Sequence, residues 1–308
     1  MTLFAGLMGV LTLFCVGGLV FDHRILLGAP IWEKPFKFAI SVGLYCLAWA
    51  WLTSLLTRGR RLAERVSAGI LVLMTVEFVV LITQTVRGVP SHFNNRTVFD
   101  HTLYLIMGGS IAMVWVATLV LTVLLFRAPI ADPANRLAIR SGMVISLVGI
   151  ALGGLMVTPR PGQPGLQGLV GAHSVGVLDG GPEMPITGWD TTGGDLRIPH
   201  FVGIHGLQAL PLFALLLGVL ARRFPRLRPA KVPTRLVMIA AGCYAGLVAL
   251  VTWQALRGQA LIHPDTLTIA AFVFLVACGV IPATFTLARA DADGQVERTE
   301  TGAIEVSR

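Results

Sequence analysis

The chain has 308 residues, 55% hydrophobic and only 13% charged, with a mean hydropathy of +0.76. A water-soluble domain carries about 25% charged residues, so this composition excludes a soluble globular protein and specifies a multi-pass helical membrane protein. The formal net charge of +8 would suit a nucleic-acid binder, but its distribution along the chain excludes that partner, as the connections show.

Apolar stretches of about 20 residues, the length needed to cross a bilayer core, predict eight spans. They cover 3–20, 38–56, 68–85, 103–126, 141–157, 201–220, 236–256 and 267–287. The first lacks a basic leading region and a small-residue cleavage site before "FDHR", so it reads as a span rather than a signal peptide. Span two is preceded by "WEKPFKF", with Glu33, Lys34 and Lys37, and is followed by the basic "TRGRRLAER". Span three carries Glu77 near its middle and ends in "TQTVRGVPSH". A carboxylate at that depth is costly if charged. It is either a proton relay with a catalytic role or a neutral carboxyl bonding across helices.

Between spans three and four lies "RGVPSHFNNRTVFDHT", which collects Arg87, Ser91, His92, Asn94, Arg96, Asp100 and His101. Span five contains "GIALGGL", in which Gly149-x-x-x-Gly153 offers a surface for close helix approach. The connection 159–199 is the longest, rich in Gly and Pro but without charge runs, and it includes Trp189 and Asp195. A loop of this length is expected to act as a lid over the mouth of the bundle. Span six opens as "IPHFVGIHGLQALPL", with His200, His205 and Gln208. An intramembrane polar residue faces a cavity or another helix, so His205 and Gln208 are either site residues or interhelical hydrogen-bonding groups. On a straight helix His205 lies about 140° around from His200, which weighs against both ligating one atom. Span seven ends in "TWQALRGQALIH", and "IHPDT", with His263, precedes span eight. The polar stretch 291–308 reads as a disordered cytoplasmic tail.

Three connections, after spans two, four and six, hold thirteen Lys and Arg, against eight in the longer alternate connections. This positive-inside pattern places the basic loops and both termini in the cytoplasm of a bacterial cell. All seven histidines then fall on the outer side. The four cysteines lie within spans without a C-x-x-C pair, consistent with packing roles. Q-x-x-R-G occurs twice, at Gln84–Gly88 and Gln254–Gly258, and "KFAISVGL" aligns with "HFVGIHGL". These identities divide the chain into two similar four-helix halves, 1–140 and 141–290, in parallel orientation.

The stretches "KPFKFAISVGLY", "RGVPSHFNNRTVFD" and "GWDTTGGDLRIPHFVGIHGLQALPL" resemble an uncharacterised family of bacterial multi-pass integral membrane proteins. The architecture, with histidines at the outer ends of even-numbered helices, is similar to that of the heme A synthases. That resemblance implies a haem held by His205 and His263, with His200 and His101 as further candidates; span two offers no histidine, Val42 and Lys37 standing at the aligned positions.

Three functional readings follow. One is a redox protein with a b-type haem and a quinone or other redox partner. A second is a transporter or sensor of a small solute or metal, with copper or zinc at His92, His101 and His200. A third is a membrane enzyme acting on a lipid or isoprenoid, with Asp100, Asp195 and the histidines as general acid and base. Lys37, Arg87, Asn94, Trp189 and Asp195 are the candidate substrate-binding residues in each.

Overall fold

In the computed structural model the chain is all-α and polytopic, with eight helices long and apolar enough to cross a membrane. The structure describes residues 1–158 and 163–306, with side chains through 290 and at 292. The first four residues of the long loop, 159–162, lie outside the described residues, as do the last two of the tail.

The helices are α1 (Thr2–Phe21), α2 (Glu33–Ser54), α3 (Arg60–Arg87), α4 (Val98–Phe126), α5 (Pro133–Leu152), α6 (Arg197–Ile204), α7 (Gly206–Arg223), α8 (Lys231–Leu256) and α9 (Thr266–Val306). Two short antiparallel ribbons decorate one end of the bundle, β1 (Ile25–Leu26) with β2 (Ala29–Pro30) and β3 (Ser174–Val175) with β4 (Gly194–Asp195). Where composition points to a disordered tail, the backbone of α9 stays helical to Val306; no proline interrupts it after Pro282.

Local chemistry explains the helix ends. The side chain of Thr97 accepts from the backbone N–H of Asp100 while its hydroxyl donates to that carboxylate, a reciprocal cap that starts α4. Asp132 caps α5 by accepting from the N–H of Asn135, with Pro133 at the first helical position. At the basic end, Arg140 donates to the terminal carbonyl of Phe126, a cation answering a helix C-terminus, and Arg136 donates to the carbonyl of Ile130 in the connection to α5.

The two Q-x-x-R-G segments have the same local geometry. Gly88 and Gly258 take left-handed conformations, φ 73° and 72°, that end α3 and α8. Arg87 then bonds Asp100 in the first turn of α4, and Arg257 bonds Asp265 just before α9.

Two differences from the hydropathy reading shape the site. First, α2 begins at Glu33, five residues before the apolar stretch, so Lys34, Lys37, Phe38, Ser41 and Tyr45 fall on one helical face. Second, predicted span six is two helices. Residue His205 caps the end of α6 and the start of α7, so the straight-helix angle between His200 and His205 does not apply. Within α7, Pro211 has no N–H for the carbonyl of Leu207, which favours the break a turn or more earlier.

Helix α5 meets this broken element backbone to backbone. A Cβ built on Gly149 would lie 2.3 Å from the carbonyl carbon of Gly203 and the nitrogen of Ile204, and one on Gly142 would lie 2.7 Å from the oxygen of Gly206. The close approach expected of Gly149 and Gly153 therefore uses Gly142 and Gly149 for backbone contact, while Gly153 makes room for the ring of His200.

Candidate functional site

A cavity of about 820 Å³ lies between α2, α3 and α4, walled on a further side by the end of α5 and covered by the long loop. This volume is in the range of small-molecule sites. Each helix contributes one face. Lys34, Phe38 and Tyr45 come from α2, Met74, Glu77 and Leu81 from α3, and Leu105, Gly108, Ala112 and Trp115 from α4. These are the i, i+3, i+4, i+7 spacings of a helix stripe.

The cavity has two zones. The end beneath the loop carries Lys34, Lys37, His92, His173, Asp179, Glu183, Arg197 and His200. Farther along, Val42, Tyr45, Met74, Met107, Ile111 and Val114 make an apolar interior, with Glu77 as its one carboxyl group. Glu77 is 4% exposed, and its Oε1 has no hydrogen-bond partner among the described residues. The α4 lining includes Leu105, Ile111 and Val116, which are also exposed on the outside of the bundle. Beside them, a Cβ on Gly108, Gly109 or, across the seam on α5's side, Gly154 would meet nothing within 4 Å. The apolar zone is thus open sideways along the α4–α5 seam.

Three histidines line the polar zone, each with Nδ1 already engaged. His200 Nδ1 lies 2.8 Å from the carbonyl oxygen of Gly149. A carbonyl can only accept, so the proton sits on Nδ1 and Nε2 carries the lone pair. His173 Nδ1 lies 2.7 Å from Asp179 Oδ2, which enforces the same tautomer. Asp179 also accepts from the backbone N–H groups of His173 and Ser174. His92 Nδ1 is 3.0 Å from the hydroxyl of Ser91. Burial lowers the basicity of all three imidazoles. For His92 the neighbouring Lys34, His173 and His200 lower it further, while Asp179 opposes the effect at His173. Burial also works against the charge on Asp179, but its bonds from His173 outweigh that and hold the carboxyl well below the usual range. The result is neutral imidazoles beside an ionised carboxylate.

The cations differ in their partners. Lys37 bonds Glu33 at 2.6 Å and the carbonyl of Thr187 in the lid at 2.8 Å. Arg197 is paired with Asp195 at 2.6 Å and Glu183 at 3.3 Å. Lys34 has neither an ion pair nor a hydrogen bond among the described residues; its contact is the ring of Phe38, 6.0 Å away. The amine of Lys34 therefore faces the cavity beside the histidines without an ion-pair partner among the described residues.

The loop from 163 to 196 is ordered by its own carboxylates. Asp190 accepts from Thr192, Gly193 and Ser174, and Asp195 anchors Arg197 at the start of α6. The loop also pairs with the 88–97 connection, through Asn95 to Gly168 and Val170 to Phe93. It contributes His173, Asp179, Glu183 and Thr187 to the wall of the polar zone.

Of the residues singled out in the sequence, Glu33, Lys34, Lys37, Glu77, Ser91, His92 and His200 line the cavity. The others stand elsewhere. Asp100 is saturated by Gln84, Arg87 and Thr97, and Arg87 stacks on Phe99. Asn94 is fully buried in its own turn, bonding Pro90 and Arg96. Trp189 and Asp195 serve the lid. His101 lies against Tyr104. Gln208, next to the kink at His205, has a buried oxygen without a partner among the described residues, and His263 is exposed in the turn before α9. Among the described residues, no three His, Cys, Asp or Glu side chains group as a metal site. Hydropathy and motif reading missed the His173–Asp179 pair. Its signal is a histidine and an aspartate six residues apart in "AHSVGVLD", a spacing that only the turn at Gly176 and the backbone bonds to Asp179 convert into a contact.

Comparison with protein-family models, with curated proteins and with solved structures found no match to this chain.

Proposed function

We propose that this membrane protein takes a long-chain amphiphile with an anionic head group from the surrounding lipid and acts on that head group by general acid–base chemistry. The observation that carries the reading is the union, in one cavity, of a counter-ion-free Lys34 and neutral histidines with an apolar zone open sideways to lipid. The head group would sit under the lid against Lys34, and the tail would lie between α2, α3 and α4. His173, oriented by Asp179, presents a bare Nε2 as the base; the same division of labour operates in Ser-His-Asp sites. With the basic loops inside, as the positive-inside pattern implies, this chamber would lie in the outer leaflet.

The test is a titration of the purified full chain in mild detergent with myristoyl lysophosphatidic acid and with neutral monomyristoylglycerol, alongside mass spectrometry of lipid retained through purification. Preferential binding of the anionic probe supports the reading. Equal binding of both, or of neither, overturns it.

Two further outcomes are expected. Asp179→Asn should leave binding within about twofold but lower turnover by roughly 10²–10⁴, because the amide releases the imidazole from its tautomer; unchanged turnover would remove His173 as the base. Acidification should separate binding from activity. The three imidazoles have basicities below the ordinary value of 6.5, so they are neutral at pH 7 and gain protons only below pH 6.5. Turnover should fall on that acid limb, while affinity for the anion should hold or rise with the added positive charge. A pH-rate profile measured beside a pH-affinity profile checks this.

A second reading is a b-type haem in the same cavity. Bis-histidine ligation needs neutral imidazoles offering nitrogen lone pairs, and His173 and His200 present them with Nδ1 held by a carboxylate and a carbonyl, the usual outer-shell arrangement of ligating histidines. His205 and His263, the pair implied by the likeness to heme A synthases, do not line this cavity. Oxidised and dithionite-reduced absorption spectra decide: a Soret band lost in His200→Ala supports haem, and a colourless protein removes it.

A further inference from the structure

A second apolar space, about 560 Å³, continues along the α4–α5 seam toward the basic end, past Leu119, Val123 and Val144 to Arg127. Only Trp115 and Ala151 line both spaces. Ala151 contributes a methyl group, so the indole is the partition. Its Nε1–H donates to the carbonyl of Leu147 across the seam at 2.9 Å, which fixes the ring between the two helices. Tryptophan offers a large apolar face with one polar handle, and here the handle is satisfied without water.

We propose that Trp115 sets the length of the tail this protein accepts. The inference rests on the amphiphile reading above and deepens it. Along α2 the chamber runs from Lys34 to Tyr45, about 17 Å of helix rise. The tail would end against the indole. Beyond the ring the groove follows α4 for about 18 Å more, to Arg127, over half of a hydrocarbon core about 30 Å thick. Removing the ring would join the two spaces and admit a much longer chain at the same head-group position. An octanoyl chain is shorter than the chamber, and a stearoyl chain is longer.

The experiment compares octanoyl, myristoyl and stearoyl lysophosphatidic acids on the full-length protein in detergent, for the wild type, Trp115→Ala and Trp115→Phe. In the wild type, affinity should rise from octanoyl to myristoyl and then stop rising or fall. In Trp115→Ala, stearoyl should gain at least tenfold while octanoyl stays unchanged, which also shows that the variant is folded. Trp115→Phe keeps most of the ring but loses the bond to Leu147, and should fall between the two. Wild-type affinity that climbs through stearoyl, or a Trp115→Ala protein with intact octanoyl binding and the wild-type preference, would overturn the inference. Failure of every chain length to bind the wild type would instead sink the amphiphile reading itself, and this inference with it.

Discussion

Replacing Lys34 by Gln should weaken binding of an anionic amphiphile roughly thirtyfold while leaving a neutral one of the same tail within about twofold. The reason lies in what surrounds the ammonium. Lys37 and Arg197, the other cations of the polar zone, already hold carboxylates at 2.6 Å, so an incoming anion would have to compete with Glu33, Asp195 and Glu183. Lys34 has no such partner among the described residues and rests against Phe38. A hydrogen bond to a charged group contributes about 2 kcal/mol, which converts to the thirtyfold change. Glutamine is one bond shorter, keeps an N–H donor and removes the charge. Lys34→Arg should recover most of the affinity. Isothermal titration of both variants with the anionic and neutral probes provides the check, and equal losses for both probes would show that Lys34 supports the cavity's shape rather than its charge preference.

Gly149→Ala should destabilise the protein by more than about 3 kcal/mol, at or beyond the upper end of ordinary overpacking. The added Cβ would stand 2.3 Å from two backbone atoms, at Gly203 and Ile204, and backbone cannot swing aside as a side chain can. The carbonyl of Gly149 itself accepts from His200 Nδ1, so any protein that folds with α5 pushed away from α6 should also lose the ordered imidazole. Gly109→Ala is the matched control. It adds the same methyl group in α4, meets nothing within 4 Å, and replaces the poorer helix former. Its stability should be unchanged or slightly greater. Unfolding of both variants in mixed micelles separates them; comparable stability would mean that α5 and α6 do not depend on this contact.

Much of the molecule is legible along the chain. Hydropathy over windows of about 20 residues finds eight spans because the bilayer core imposes one length and one polarity on every crossing. The paired Q-x-x-R-G segments mark two helix ends with one local design, since the arginine, the left-handed glycine and the next helix's aspartate lie within about a dozen residues of one another. Lys37, Glu77, His92 and His200 stand out as polar groups where lipid would reject them, and all four line the cavity. Short-range rules cover these features, because each depends on the chain's immediate neighbours or on its solvent.

The rest was decided by tertiary structure. Asp100 reads as a catalytic candidate and is instead consumed by Gln84, Arg87 and Thr97; whether a carboxylate is free is a property of everything packed around it. Lys34 and Lys37 are near twins in sequence, yet one is clamped by Glu33 and Thr187 and the other faces open space, a difference set by a lid about 150 residues away. The tautomer of His200 depends on Gly149, 51 residues earlier, through a helix crossing that two glycines permit. Composition and periodicity record what each residue prefers, but a site requires polar groups from distant segments to converge with some of their valences left unspent. That remainder exists only once every helix and the lid have taken their partners.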